Sequence, residues 1–221
     1  MNIPKFTIGL NQALDQDQFI EFFLKNDPSI KKDFPQIKNV DDIKAAIRYV
    51  YSHQDEHIGR GLKILKDNID TLNRLAEIIG EKLDYDWDGI SEITINPCSF
   101  PVCPRFIETS SFMVTYYFDK SSIIGICAHE MTHILYFKKI KDSLPNEEIN
   151  TECPSKDWLL SEIFVQYITN SKEIQAITNF KDNLYITEDT KVTDDQLNKI
   201  KNLYIEKHDL LVFRSRVIEI L

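Results

Sequence analysis

The sequence predicts an α+β fold: a small mixed sheet with one buried functional helix, and helices through most of the rest. Three observations predict it. Two β-prone segments, 90–96 and 112–118, lie close together near the middle of the chain. Apolar residues on either side of them recur at intervals of three and four, the helical period. A nearly continuous apolar stretch from Ile123 to Phe137 follows the second β-prone segment and is too long for an ordinary strand.

Taken in order, residues 1–40 read as short helices and loops. Asp15 opens a helical stretch to Leu24, closed by Asn26-Asp27-Pro28. Asp41 caps a second, with Ile43, Ala46, Ile47 and Val50 on one face. Ile58, Leu62, Leu65, Ile69, Leu72, Leu75 and Ile79 predict one long helix over 54–81. Asp84 to Gly89 reads as a turn. Ile90-Ser91-Glu92-Ile93-Thr94-Ile95-Asn96 then alternates as a strand, and 112–118 is rich in β-branched and aromatic residues. The turn at 119–122 supplies an N-cap for a helix over 122–139. A polar loop (142–154) precedes a helix over 156–170. Thr193-Asp194-Asp195-Gln196 is a capping box that opens a last helix to about residue 220.

Apolar residues make up 43% of the 221, enough for a substantial core. The net charge of −9 argues against nucleic acid or an anionic membrane surface as the main partner, since both need a basic face. The start of the chain lacks the apolar core of a signal peptide, and no run is long enough to cross a bilayer. A cytoplasmic location is the expectation. Cys98 and Cys103 sit within Pro97-Cys98-Ser99-Phe100-Pro101-Val102-Cys103-Pro104, a spacing that fits neither a C-x-x-C clip nor a disulfide framework. Free thiols are expected there, against a local disulfide or half a zinc site. Cys127 reads as a small buried hydrophobe.

The chemistry concentrates in His129-Glu130-Met131-Thr132-His133. Residues four apart share a helix face, so both imidazoles can reach one metal ion, with Glu130 beside them as general base. That is the donor set of zinc-activated hydrolysis. The alternative is a core helix with two hydrogen-bonded histidines. It leaves two imidazoles and a carboxylate buried among apolar neighbours without the partner a metal would supply. No glycine and histidine follow closely after His133, so a third histidine ligand at short range is excluded. Glu162, in Trp158-Leu159-Leu160-Ser161-Glu162, is favoured as third ligand over Glu152, because a helix holds a ligand more rigidly than a Cys/Pro loop.

A helix bearing His129 and His133, followed by a helix bearing Glu162 in that setting, resembles the gluzincin branch of the zincin metallopeptidases in compact form. The resemblance covers about residues 90–170. It implies a zincin-like fold, one zinc ion held by His129, His133 and Glu162, Glu130 as base, and a peptide or protein substrate. It also implies that the strand before the motif helix, 112–118, is the sheet edge lining the cleft. One departure stands out: many gluzincins carry an aspartate four residues after the ligand glutamate, where this chain has Gln166. Tyr116, Tyr117, Tyr167 and His208 are the candidates for stabilising an oxyanion. Gln166 also keeps a second reading open, an inactive zincin-like scaffold acting in binding or regulation.

A second pair, His53-Gln54-Asp55-Glu56-His57, has the inverted H-x-x-E-H order but polar surroundings, and reads as a solvated segment. In domain terms, residues 89–221 form the zincin-like unit. Residues 1–88 form a helical region that completes the fold, covers the cleft or binds a partner.

Overall fold

The sheet is built from segments far apart in the chain. In the computed structural model, which describes residues 2–53, 56–184, 192–205 and 209–221, four strands lie in the order β1-β2-β4-β3. β1 (Lys5–Ile8) pairs in parallel with β2 (Glu92–Cys98), Lys5 opposite Glu92. β2 pairs in parallel with β4 (Ser111–Thr115), and the two-residue β3 (Arg105–Phe106) runs antiparallel to β4 on its outer side. The chain is therefore α+β with a small mixed sheet. The segment expected at the edge is an inner strand instead, ends at Thr115 rather than at 118, and leaves the edge to β3.

Both sheet faces are covered, which explains why the inner strands are apolar on both sides. Ile93, Ile95, Phe112 and Val114 join the larger core. Cys98 and Met113, pointing the opposite way, join a smaller core with Phe19, Ile30, Ile43, Ile47 and Phe100. The smaller core is roofed by α1 (Gln12–Leu24), α2 (Pro28–Asp33) and α3 (Val40–Ser52). Each begins on a side-chain cap: Asn11 accepts from the Leu14 N–H, Asp27 from Ser29, and Asn39 forms a capping box with Asp42.

The single helix expected over 54–81 is two helices, α4 (Glu56–Asp67) and α5 (Ile69–Leu83). The Asn68 side chain donates to the Ile64 carbonyl at 2.7 Å, closing α4, and its own φ of −118° leaves the helical region. α5 ends on Asp84 at φ 46°, a left-handed cap. It packs against α6 (Lys120–Ser143), which Asp119 caps by accepting from the Ser122 N–H at 2.9 Å. α6 is buried on nearly every side in its middle turns, as its apolar sequence requires. α7 (Lys156–Thr169), capped by Ser155, packs on α6, and a short α8 (Lys172–Thr178) follows. The C-terminal helix is also two: α9 (Asp194–Ile205), opened by the Thr193–Gln196 capping box, and α10 (Leu210–Ile220), restarted by Asp209. No helix among the described residues is long and apolar enough to cross a membrane.

Candidate metal centre

His129 and His133 occupy one face of α6, a turn apart, and α7 brings Glu162 against them. The His129 Nε2 and His133 Nε2 atoms are 3.0 Å apart. Glu162 Oε1 lies 3.3 Å from His133 Nε2, and Glu162 Oε2 lies 3.5 Å from His129 Nε2. A tetrahedral ion with bonds of 2.0–2.1 Å places its ligand atoms about 3.3 Å from one another. These separations bracket that value, and two imidazoles with one carboxylate are a donor set that zinc takes. The residues fit the ion that the motif implies. His133 is fully buried and Glu162 nearly so, while 15% of the His129 side chain reaches the surface.

The ring orientation of His129 is set from its far side. Its Nδ1–H donates to Asp182 Oδ2 at 2.7 Å, which turns Nε2 toward the cluster. Asp182 is itself held: Thr169 Oγ1 donates to the same oxygen at 2.7 Å, and the Asn170 side chain bonds both the N–H and the carbonyl of Asp182. Thr169 closes α7 and Asn170 caps it, so one helix carries Glu162 and anchors the partner of His129. Sequence reading found an uncharged Gln166 where the resemblance puts such a carboxylate, and missed Asp182. Nothing in the sequence marks it, since it sits in an irregular segment after α8 with no periodicity around it.

Arg105 is the second residue that sequence reading missed. From β3 its Nη1 reaches Glu162 Oε1 at 3.3 Å and its Nη2 reaches the Thr151 carbonyl at 3.5 Å, with the guanidinium over the Phe137 ring. Its Nε–H is buried without a partner among the described residues. Burial alone would raise Glu162, but the two histidines outweigh it and hold the carboxyl well below its ordinary value. Burial, then Arg105, push His133 down to about 3, so its imidazole is neutral. Burial opposes protonation of His129, yet Asp182 first and Glu162 after it carry that group above its ordinary value.

Glu130 is 5% exposed, and its Oε2 is buried with no hydrogen-bond partner among the described residues. Burial raises its pKa to about 7. Of the rival sites, Glu152 sits in the exposed loop, where its N–H is held by Asn150. His53 is exposed and stacks on Tyr49, while Gln54, Asp55, the His57 side chain and His208 lie outside the described residues. Among the oxyanion candidates, Tyr167 packs on Tyr204 with tilted rings 4.5 Å apart, and the Tyr117 hydroxyl is buried without a partner among the described residues. No family model, no curated protein and no solved structure matches this chain.

Proposed function

We propose that this protein is a zinc-dependent metallopeptidase of zincin type that hydrolyses peptide bonds. The observation that carries the reading is the convergence of His129 Nε2, His133 Nε2 and the Glu162 carboxylate beside a buried carboxylate, Glu130, with an unbonded oxygen. Zinc bound by the three ligands would supply Lewis acidity, polarising a substrate carbonyl and acidifying water.

The remaining work falls to the chain. Glu130 Oε2 receives a proton from the attacking water and returns it to the departing amine. Its unbonded state fits that role, because a carboxylate already saturated by hydrogen bonds is a poorer acceptor. Asp182 orients His129 and supplies the carboxylate that many gluzincins carry at the position of Gln166, which supports the hydrolytic reading over an inactive scaffold. Arg105 shares the Glu162 carboxylate and adds to the burial that keeps His133 neutral. An extended peptide has the outer edge of β3 beside the site to pair with, a mode that reads backbone more than side chains.

The test is a pair of measurements. Metal analysis should find about one zinc per chain in the wild type and little in His129→Ala. Peptide hydrolysis should fall by at least a hundredfold in Glu130→Gln while zinc content stays, the lower range for loss of a general base. Undiminished hydrolysis in Glu130→Gln would sink the mechanism.

A further inference from the structure

We propose that Cys98 and Cys103 form an oxidisable dithiol, converted reversibly to an intramolecular disulfide by a small disulfide oxidant such as oxidised glutathione. Cys98 closes β2 and Cys103 leads into β3, so both ends of the loop between them are held by the sheet. Thr115, paired with Cys98 in the ladder, places its hydroxyl oxygen 3.8 Å from the Cys98 sulfur and 3.6 Å from the Cys103 sulfur. The two thiols are close enough to perturb each other's titration. The intervening residues are pinned so that this approach persists. The Asp15 carboxylate accepts from the N–H and hydroxyl of Ser99, and the Phe100 ring stacks on Phe19 at 5.4 Å.

The two sulfurs are unequal in the way such a pair needs. Cys103 is partly exposed, while Cys98 is fully buried. The Cys98 thiol, then the hydroxyl and backbone N–H of Thr115, hold Cys103 below its ordinary value against burial. Burial pushes Cys98 well up. Cys103 is therefore the attacking thiolate and Cys98 the resolving thiol. The Cys103 thiolate attacks one sulfur of oxidised glutathione, breaking its S–S bond and releasing one glutathione thiolate. Cys98 then loses its proton and attacks the Cys103 sulfur, forming the internal S–S bond and releasing the second. The two departing thiolates take up the two protons, so one glutathione disulfide is reduced for each protein disulfide formed. Cys103 also feels the Glu130 charge, which places the modification beside the candidate centre, although the chemistry holds whatever that centre does.

The experiment uses the full chain with the exposed Cys153 replaced, Cys153→Ser, so that only Cys98, Cys103 and the buried Cys127 remain. After incubation with oxidised glutathione, intact mass should fall by two hydrogens and two alkylatable thiols should disappear. Dithiothreitol should restore both. Adding Cys98→Ser should halt the reaction at a glutathione adduct on Cys103, and adding Cys103→Ser should abolish it. Cys98→Ala serves if the serine variant does not fold. Persistence of both thiols in the parent, or a stable glutathione adduct on Cys103 that Cys98 fails to resolve, overturns the proposal.

Discussion

Replacing Asp182 tests the site at its least visible contact. Its Oδ2 takes hydrogen bonds at 2.7 Å from His129 Nδ1 and from Thr169 Oγ1. Asp182→Ala deletes the acceptor that keeps Nε2 of His129 aimed at Glu162 and His133. A hydrogen bond to a charged group contributes about 1.5–3 kcal/mol, or roughly 10- to 150-fold in a binding constant. Partners of metal-bound histidines typically account for about 10- to 100-fold. Asp182→Asn keeps an oxygen for both donors and loses only the charge, so its loss should sit near the tenfold end. Zinc affinity, measured by competition with a chromophoric chelator, should therefore fall in the order wild type, Asn, Ala. Gln166→Ala should leave it unchanged. If Asp182→Ala keeps the wild-type fold by circular dichroism and binds zinc within twofold of wild type, the reasoning is refuted.

Three further outcomes are expected. Asp15 is fully buried and its carboxyl is raised by burial from 3.8 to about 6. A raised folded pKa contributes stability that is complete below about 3.8 and is lost as pH rises through about 6, here about 3 kcal/mol in all. The urea stability of Asp15→Asn relative to wild type should thus rise by about that amount between pH 3.5 and pH 7.5; a flat difference contradicts the buried charge. In Gly125→Ala the new Cβ would lie 2.2 Å from Phe180 Cγ and 2.5 Å from its Cβ, so the segment carrying Asp182 must shift. A stability loss of about 1–3 kcal/mol by chemical denaturation is expected, and an unaffected midpoint counts against the contact. Zinc at a hundred times its dissociation constant should stabilise the wild type and Glu130→Gln by about 2.7 kcal/mol. His133→Ala should show almost none of that gain in a thermal or urea titration.

What could be read from the sequence divides along physical lines. Local signals carried well: the caps at Asp119 and Thr193, the β-prone segments, and the four-residue spacing that puts His129 and His133 on one face. The structure also brings Glu162, rather than Glu152, to those histidines, because its apolar helix packs directly on α6. Pairing between distant segments left no such trace. β1 is four residues long and β3 two, too short for a periodic pattern, and both exist because of the strands beside them. The break at Asn68 was hidden for a different reason: its apolar neighbours keep helical spacing across it, and only a side-chain bond to Ile64 interrupts the ladder. Asp182 and Arg105 are single polar residues whose importance lies wholly in what the fold sets next to them.

The parallel pairing of β1 with β2 bears on the order in which this chain acquires structure. Lys5 must find Glu92 across most of the first half of the molecule, whereas His133 and Glu162 are separated by a loop and part of two helices. Closing the longer span costs roughly 1 kcal/mol more entropy, and contacts of long sequence separation slow folding. β1 is therefore expected to dock late, after the α6–α7 hairpin has gathered His129, His133 and Glu162. Until it docks, the Glu92–Ile95 edge of β2 is open, and an open parallel edge is a template for pairing between chains. Crowded synthesis or high refolding concentration should thus favour association through this edge. The β2 edge is open only in the maturing chain; once residues 5–8 are in place, the four-residue β1 takes over as the edge.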